Sequence, residues 1–398
     1  MQDTFHRLSK PRLLFLTSRF PYPLEKGDKL RAYHLIRNLS RDFDICLFAV
    51  HEHTPATAWI NALKPYCYRI ETGVVPPSRS ALSMLRYADI PFQVAYFYSD
   101  PVMKKLLHFV SDCKPDAVFC HLIRMAEYAK RLDIKPRLLD YMDTFSKGME
   151  RMAEKGSPFL KIPAAIEHKR LLKYEHDLFP LFDKHIIISG QDRDLIPHPQ
   201  RNEIQVIPNG VDFNYFSPQH VEKKYDLLFN GHLSYPPNIA SSIYCAKEIF
   251  PLIKKEIPGI SLLLAGANPV EKIKKLQGNG ITVKGWMDDI REAFSSSRIM
   301  LAPMLISIGL QNKILQAMAM KIPCIISPMA NNALGAEHGK QLFVAENPED
   351  YKKYVIQLLT DDRLYNEMTE SAFNFVKENF SWEENTGKIS SMIKSLLQ

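Results

Sequence analysis

The sequence predicts an α/β protein of two similarly sized domains, each built on a doubly wound parallel sheet. Three observations favour this fold class. Short apolar runs alternate with segments of helical periodicity along the chain, which is typical of parallel strands covered by helices on both faces. The 398 residues exceed the roughly 250–300 at which a single hydrophobic core stops growing. A turn-rich break at Ile207–Asp212 separates the alternation into two halves.

The first domain, residues 1–208, opens with a strand and a helix. Arg12–Thr17 is an apolar run, the loop after it is rich in turn formers, and Leu30–Leu39 has apolar residues at a 3.6-residue period. Further strands are predicted at Asp44–Val50, Ala117–Cys120, Arg137–Tyr141 and His185–Ser189. Because ligands of open α/β sheets bind outside the carboxyl ends of the strands, residues that follow these runs are candidates for a site.

The second domain, residues 209–378, restarts the same alternation. Its strands are predicted at Asp226–Phe229, Ser261–Ala265, Ile281–Val283, Ile299–Ala302 and Cys324–Ser327. Helices are predicted between them, at about 238–255, 269–277, 289–296 and 310–321. No short-period repeat is visible, which argues against solenoids and propellers.

The composition is that of an ordinary globular chain in a reducing compartment. Apolar residues make up 46% and charged residues 24%, which excludes a disordered tail or a low-complexity scaffold. The six cysteines form no CxxC pair and no cluster at zinc spacing. No segment approaches the roughly 18–20 apolar residues of a membrane span, and Met1–Lys10 is too polar for a signal peptide. We therefore expect a cytoplasmic protein.

The net charge of +7 is unevenly distributed along the chain. Residues 1–208 hold 31 basic and 24 acidic side chains, whereas residues 209–398 hold 20 of each. An excess confined to one half indicates an anionic partner, such as a membrane surface, a nucleic acid or a phosphorylated substrate.

One segment of the basic half suits a lipid surface. Arg79–Ala88, leading into Pro91–Tyr98, interleaves basic residues with aromatic and aliphatic ones, as in segments that touch lipid headgroups. A core-facing helix with a proline break explains the pattern equally well. No recognised nucleic-acid module accompanies it, so we expect no nucleic-acid partner. Peripheral attachment to the inner face of an anionic membrane follows from the first alternative.

The strongest local motif is Ser307–Pro323. A predicted strand ends before it near Pro303, a loop containing Gly309 follows, and a helix is predicted to begin at about Leu310. Unpaired backbone N–H groups at the start of such a helix can hold a phosphate. Lys313 in the first turn would be stabilised by an arriving anion. Asn312 and Gln316, four residues apart, share one face of the helix. The alternative is an ordinary crossover helix with a surface lysine.

The first domain offers weaker candidates. Gly27 lies between the first strand and the first helix, where a backbone often approaches a ligand; a plain loop glycine is the alternative. His121 follows the strand Ala117–Cys120, although lone histidines are more often structural. Asp140 and Asp143 end a neighbouring strand, with solvated or capping carboxylates as the alternative.

Two acidic pairs, Asp288–Asp289 and Asp361–Asp362, are best explained as helix starts, where the helix dipole favours carboxylates. The sequence therefore indicates no metal site.

Several of these motifs together resemble one enzyme family. Val206–Asp212 resembles the interdomain signature of glycosyltransferase family 4, the retaining GT-B enzymes, and Gly309–Ile326 resembles their donor-binding segment. Gly231–Asn238 together with Gly309–Lys313 is similar to a bacterial exopolysaccharide subgroup. Further likeness lies at Gly266, Gly285–Asp288 and Phe380–Glu383, the last being the place of a C-terminal aromatic crossover.

The resemblance implies a GT-B fold, in which two Rossmann-like domains face a central cleft and residues 379–398 form a helix crossing back to the first domain. It implies that the first domain binds a glycan or lipid-linked acceptor and the second a nucleotide-sugar donor, without a metal. Trp286 and Met287 would meet the base. The remaining implied donor contacts are Gly27, His121, His232, Gly309, Gln311, Asn312, Lys313 and Gln316.

The chain departs from the family pattern at three positions. The two glutamates usually found eight positions apart correspond to Ile308 and Gln316, and a usual basic residue is replaced by His232.

Our main hypothesis is a retaining hexosyltransferase in which Lys313 holds the diphosphate, Gln316 the ribose, and His121 assists at the sugar. The alternative is a catalytically silent GT-B partner in glycan biosynthesis, and a sugar-nucleotide epimerase is a weaker third hypothesis.

Overall fold

A computed structural model describes residues 10–78, 86–87, 89–155, 158–219, 221–306 and 309–398. The chain divides into two compact units. The first unit comprises Met1–Pro208 together with Trp382–Gln398, and the second unit comprises Asn209–Ser381. Within the described part of the chain, each helix is too short or too polar to span a lipid bilayer.

The sheet of the first unit is entirely parallel. Its strands are β1 (Arg12–Thr17), β2 (Asp44–His51), β3 (Arg69–Val74), β4 (Ala117–His121), β5 (Arg137–Asp140), β6 (Lys184–Ile187) and β7 (Gln205–Val206). They are ordered β3-β2-β1-β4-β5-β6-β7. The strand order reverses direction between β1 and β4, and this switch point is where open α/β sheets bind ligands.

Helices connect these strands. The α-helices of the first unit before its last segment are α1 (Gly27–Leu39), α2 (Thr57–Leu63), α3 (Phe92–Ala95), α4 (Asp100–Cys113), α5 (Ala126–Ala129), α6 (Phe145–Lys155), α7 (Pro158–Asp177) and α8 (Gly190–Leu195). Short 3₁₀ helices lie at Lys64–Tyr66, Ile123–Met125, Phe179–Leu181 and Arg201–Glu203.

The central strands are apolar throughout because both faces of the sheet are covered. Leu13 and Phe15 belong to one core cluster, whereas Leu14 and Leu16 belong to the cluster on the other face. This follows from the alternation of side chains along a strand. Phe15 stacks on Phe119 of β4 with ring centroids 4.7 Å apart. The two faces together form the core on which the strand ends are held.

The second unit has a parallel sheet with the same pattern. Its strands are β8 (Tyr225–Asn230), β9 (Leu262–Ala265), β10 (Ile281–Lys284), β11 (Ser297–Ala302), β12 (Cys324–Ile326) and β13 (Phe343–Val344), ordered β10-β9-β8-β11-β12-β13. The switch point lies between β8 and β11. The two sheets confirm the predicted fold class of two doubly wound parallel domains.

The helices of the second unit flank this sheet. They are α9 (Pro236–Tyr244), α10 (Phe250–Glu256), α11 (Glu271–Lys274), α12 (Arg291–Ser295), α13 (Asn312–Ala319), α14 (Pro328–Leu334), α15 (Pro348–Thr360) and α16 (Asp362–Asn379). A π-helical turn, Cys245–Ile249, joins α9 to α10. The segment predicted as one helix at 238–255 is therefore interrupted, and a wider turn replaces the regular hydrogen-bond ladder there.

The last helix, α17 (Trp382–Leu397), belongs to the first unit. The Trp382 ring stacks on His34 of α1, with centroids 4.7 Å apart. Farther along the helix, Ser390 and Lys394 both donate hydrogen bonds to the Asp42 carboxylate, at 2.6 and 2.7 Å. An apolar face and two polar bonds thus fix this helix on the first sheet.

The segment predicted to touch lipid headgroups, Arg79–Ala88 with Pro91–Tyr98, is only partly within the described residues. Residues 79–85 and 88 lie outside the described residues. Within Pro91–Tyr98, the Phe97 and Tyr98 side chains are buried in the core of the first unit. The prediction that these rings face lipid is therefore wrong, and the alternative of a core-facing segment holds for them.

A buried charge cluster links α1 to the ends of β4 and β5. The Arg31 guanidinium donates to both Asp140 carboxylate oxygens, at 2.7 and 3.2 Å, and both side chains are fully buried. His121 Nδ1 lies 3.1 Å from the same carboxylate. Burial alone would raise the pKa of Asp140, but Arg31 and then His121 outweigh burial and lower the pKa to about 2.

Replacing Asp140 by Asn should strongly destabilise the first unit, because the Arg31 cation then stays buried without its partner. We expect a loss of about 3–5 kcal/mol in the free energy of unfolding. In the native chain, the stability that Asp140 contributes is present above pH about 4 and is lost as the pH falls towards about 2. Denaturant unfolding measures both effects.

Tryptophan fluorescence in a Trp286→Phe background isolates the first unit, because the remaining tryptophans, Trp59 and Trp382, both lie in it. Asp194→Asn in the same unit serves as the control, since its ion pair with Arg193 lies at the surface and exposed pairs contribute about 0–1 kcal/mol. A loss below about 1 kcal/mol for Asp140→Asn would contradict the assignment of a fold-stabilising role to this cluster.

Candidate functional site

The site lies at the switch point of the second sheet, where β8 and β11 end side by side. The turn Gly231–Tyr235 leads from β8 into α9, and the loop after β11 leads into α13. Neighbouring parallel strands present their carboxyl ends at one edge of a sheet, so the residues that follow them converge. The polar side chains of this edge come from these two connections.

Two glycines hold the turn after β8 close to the neighbouring strand end. Gly266 has φ +144°, and a Cβ atom there would lie 1.8 Å from the carbonyl oxygen of Gly231. A Cβ atom on Gly231 would lie 2.8 Å from Asn238 Nδ2. Neither position tolerates a side chain without movement of backbone or of Asn238. The close approach therefore fixes the backbone of His232 and the amide of Asn238.

Lys313 is the charged group at the centre of this edge. Its side chain is 8% exposed, and its Nζ donates a hydrogen bond of 2.8 Å to Asn238 Oδ1. The amine lies 4.7 Å from the centroid of the Phe229 ring. Among the described residues it has no carboxylate partner, and burial lowers the pKa of Lys313 to about 7. A buried amine without a counter-ion is suited to receive an anion.

His232 and Asn238 continue the polar network from Lys313. Asn238 Nδ2 donates to the His232 carbonyl oxygen at 3.1 Å. The His232 ring nitrogens lie 3.0 Å from Ser234 Oγ and 3.4 Å from Asn268 Nδ2. The side chain that replaces the family's usual basic residue is thus held by neutral partners within the second unit.

The helix start beside Lys313 is oriented by its own polar residues. Gly309 has φ +66°, in the left-handed region, and Gln311 is the extended residue that precedes α13. Asn312 Oδ1 accepts a hydrogen bond of 3.2 Å from Asn209 Nδ2. The helix begins at Asn312 rather than at 310, and Gln316 is partly exposed one turn after Asn312. Ile308 and Ser307 lie outside the described residues.

Trp286 and Met287 occupy different environments. The Trp286 ring is 65% exposed, and its Nε1 donates to Asp288 Oδ1 at 3.0 Å. Met287 is partly buried against the core of the second unit. Asp289 is ion-paired with Arg291. The ring of Trp286 is therefore free to stack on a planar ligand, whereas Met287 mainly packs inward.

His121 is fully buried in the first unit. Its Nδ1 lies 3.1 Å from Asp140 Oδ2, and its Nε2 lies 3.1 Å from the carbonyl oxygen of Asp28. Both partners are hydrogen-bond acceptors, and the roles of the two ring nitrogens depend on the tautomer. The side chain has no exposed surface. The predicted direct assistance at a donor sugar is not supported, and the geometry favours a structural role at the start of α1.

The other candidates of the first unit are Gly27, Asp140 and Asp143, and each lies in a different environment. A Cβ atom on Gly27 would meet only Met142 Cε, at an ordinary 3.5 Å, so the packing of the first unit does not itself require glycine there. Asp140 is neither solvated nor a cap, because Arg31 and His121 enclose it. Burial and the neighbouring carboxyl of Asp192 raise the pKa of Asp143 to about 7.

Asn238 is a functional candidate that was not predicted from the sequence. It belongs to the quoted segment Gly231–Asn238, but its importance rests on a contact with Lys313, 75 positions away. The closeness of Gly231 to Asn238 also appears only in three dimensions. The signal available in the sequence was the asparagine itself, which follows a strand end and precedes a helix.

The two Rossmann-like units define the fold class as GT-B. A crystal structure of the Anabaena HepE protein in complex with UDP matches with a TM-score of 0.67 at 13% identity, covering 97% of this chain and 100% of that one. At this identity, the match establishes the fold. Residues 224–361 match the family described as Glycosyl transferases group 1. The part of the chain that is similar to this family therefore lies in the second unit.

Two curated relatives extend the likeness. An uncharacterized 44.6 kDa protein in the cps region of Klebsiella pneumoniae is 24% identical over 396 residues, covering 93% of this chain and 96% of the relative. An uncharacterized glycosyltransferase of Methanocaldococcus jannaschii is 25% identical over 269 residues, covering 61% of this chain and 67% of the relative. These matches agree with the recognition of a GT-B glycosyltransferase on sequence motifs.

Proposed function

We propose that this protein transfers a hexose, with retention of configuration and without a metal, from a nucleotide-diphosphate sugar to a polysaccharide or lipid-linked glycan acceptor. The observation that carries the proposal is Lys313, a buried amine without a carboxylate partner at the switch point of a group 1 glycosyl transferase domain. A diphosphate supplies the missing negative charge. The HepE structure with UDP makes a uridine nucleotide the first ligand to examine.

In this proposal, the donor binds the second unit along the edge formed by the turn after β8 and the start of α13. Lys313 and the first N–H groups of α13 contact the diphosphate. Asn238 keeps the amine in place. Gln311, Asn312 and Gln316 present amides on the exposed side of the helix start, with Gln316 assigned to the ribose hydroxyls. Gly309 and His232 border the phosphates.

Trp286 is assigned to the nucleotide base. Its ring is exposed, and aromatic side chains stack on the π-face of any base. Met287 supports the turn that carries the ring through its packing against the core. Stacking alone does not distinguish one base from another, so the comparison of UDP with GDP binding identifies the donor base.

The chemistry requires stabilisation of the leaving group. The bond between the sugar C1 and the diphosphate oxygen breaks, and its electron pair leaves with the diphosphate. A bond forms on the same face between C1 and the acceptor hydroxyl oxygen, whose proton passes to the departing phosphate oxygen. Lys313 and the backbone amides stabilise the charge that develops on the diphosphate. His121 acts as a positioning residue, because its Nε2 holds the Asp28 carbonyl beside Gly27.

A second candidate function is a catalytically silent partner in glycan biosynthesis. It is favoured by the absence of carboxylates at Ile308 and Gln316, which occupy the places of the family's glutamates. Such a protein could still bind the nucleotide through Lys313. Binding and turnover must therefore be measured separately: saturable UDP binding with no hydrolysis or transfer over a panel of nucleotide sugars would support the silent partner.

Replacing Lys313 by Met should weaken UDP binding by about 10- to 100-fold, since a charge-assisted contact contributes about 1.5–3 kcal/mol. Isothermal titration calorimetry with UDP, and in parallel with GDP, measures the change. In the native chain the affinity should fall as the pH rises above about 7, because the free amine then loses the proton that binding requires. The Met variant should lack this pH dependence.

Lys321→Met is the matched control. Lys321 follows the same helix, but it is ion-paired with Glu370 at the surface, so we expect its loss to leave UDP binding within twofold. Thermal unfolding of each variant verifies that the second unit is folded. Failure of the native chain to bind UDP or GDP, or equal affinities of the native chain and Lys313→Met, would refute the donor site.

We further propose that the protein binds its acceptor at an anionic membrane surface. The support is an exposed stripe on α7. Phe159 and Ile162 are 90% and 74% exposed, and Ile166 continues the same face. Lys169 and Lys173 follow at helical spacing and are exposed. An apolar end that inserts, followed by cations at headgroup level, is the pattern of an interfacial helix.

The double variant Phe159→Ser/Ile162→Ser should reduce binding to vesicles of phosphatidylglycerol and phosphatidylcholine at least tenfold, because each apolar side chain contributes about 1.5–3 kcal/mol when buried. Co-sedimentation measures this, and binding of the native chain should weaken with salt. Leu107→Ser, which removes an exposed leucine on α4, is the control. Salt-independent partitioning, or equal binding of the double variant, would exclude this surface.

A further inference from the structure

A second group of polar side chains lies at the switch point of the first sheet. β1 and β4 pair there, with Thr17 opposite His121. Ser18 and Arg19 follow β1, while Arg124 lies in the short 3₁₀ helix that follows β4. Because the two strands are neighbours and parallel, these connections leave the sheet at the same edge. This is the position at which doubly wound sheets hold ligands.

Arg124 is held in place without an ion pair among the described residues, although the nearby carboxylates of Asp28 and Asp143 act to raise its pKa. Its Nη2 donates to Gln93 Oε1 at 3.1 Å, and its guanidinium carbon lies 5.4 Å from the Phe97 ring centroid and 4.8 Å from that of Phe145. Its Nε is buried and has no hydrogen-bond partner among the described residues. Burial, and next the charge of Arg19, lower the pKa of Arg124 to about 10.

Two further donors accompany this guanidinium. The Arg19 guanidinium carbon lies 5.9 Å from the centroid of the same Phe97 ring, and the side chain remains partly exposed while paired with Asp28. The Ser18 hydroxyl is buried without a hydrogen-bond partner among the described residues. Buried polar groups are normally satisfied, so two orphaned groups in adjacent connections require an explanation. A ligand that accepts hydrogen bonds provides one.

We propose that Arg124, together with Arg19 and Ser18, forms a subsite in the first unit for an anionic group of the acceptor, either a phosphate or a carboxylate. This inference rests on the proposed function, in which the first unit binds the acceptor. A guanidinium donates two parallel hydrogen bonds to the oxygens of either anion. The aromatic rings of Phe97 and Phe145 keep Arg124 oriented before the ligand arrives. The acceptor class is therefore a charged glycan or a phosphate-linked glycan, and not a neutral sugar.

The test measures binding of simple anions to the full chain carrying Lys313→Met, which removes the amine of the second unit from competition. The probes are methyl phosphate and glucuronate, with glucose as the neutral comparison, and the readout is isothermal titration calorimetry. We expect saturable binding of at least one anion and none of glucose. Adding Arg124→Met should weaken that binding by about 10- to 100-fold.

Two variants keep the test interpretable. Arg124→Lys retains the charge but not the paired donors, so we expect an intermediate affinity from a folded protein. Arg86→Met is the control, because Arg86 is also a guanidinium near an aromatic ring, that of Tyr87, but is exposed and paired with Asp100. It should leave anion binding within twofold.

The outcomes separate this inference from the donor site. In the chain with native Lys313, Arg124→Met should leave UDP affinity within twofold. Absence of saturable anion binding, or equal binding by Arg124→Met and Arg86→Met, overturns the subsite even if UDP binds normally. Parallel loss of UDP affinity in Arg124→Met also overturns it, because Arg124 would then serve the donor. Failure of UDP binding in the native chain instead refutes the proposed function.

Discussion

The Lys313 amine is held inside the second unit with an asparagine oxygen as its hydrogen-bond acceptor, and no carboxylate of the described residues neutralises it. Burial of an unpaired ammonium costs several kcal/mol, so a sequence selected for stability alone would replace it. The surrounding backbone is arranged to keep it there. Gly266 and Gly231 bring Asn238 to the amine, and Phe229 lies beneath it. The proposed donor site therefore depends on one uncompensated charge.

The first unit shows the opposite arrangement, in which a buried charge has an ion-pair partner. Arg31, Asp140 and His121 form a buried cluster in which the Asp140 carboxylate is ion-paired with Arg31 and lies beside the His121 ring. This cluster ties α1 to two strand ends and leaves no charge for a ligand. Arg124, at the same edge, retains an unpartnered Nε. The paired charges of this cluster hold the strand ends in place. The unpaired ones, on Lys313 and Arg124, are where we propose that anions bind.

Local sequence patterns predicted the buried strands and the fold, because uninterrupted apolar runs such as Leu13–Leu16 need only be covered on both faces. The edge strands β3, β7 and β13 were not predicted, since β7 and β13 have only two residues each and the six residues of β3 include no continuous apolar run. The helix bearing Lys313 was placed within two residues. The environments of Lys313, His121 and Phe97 could not be predicted, because each is created by residues distant in the chain.

The most direct measurement is the pKa of Lys313 itself, obtained by NMR of the full chain labelled with carbon-13 at lysine and assigned with Lys313→Met. We expect a pKa of about 7 for Lys313 in the free protein and a clear rise when UDP is added, because the diphosphate stabilises the charged amine. An ordinary value of about 10.4 that does not change with UDP would contradict it.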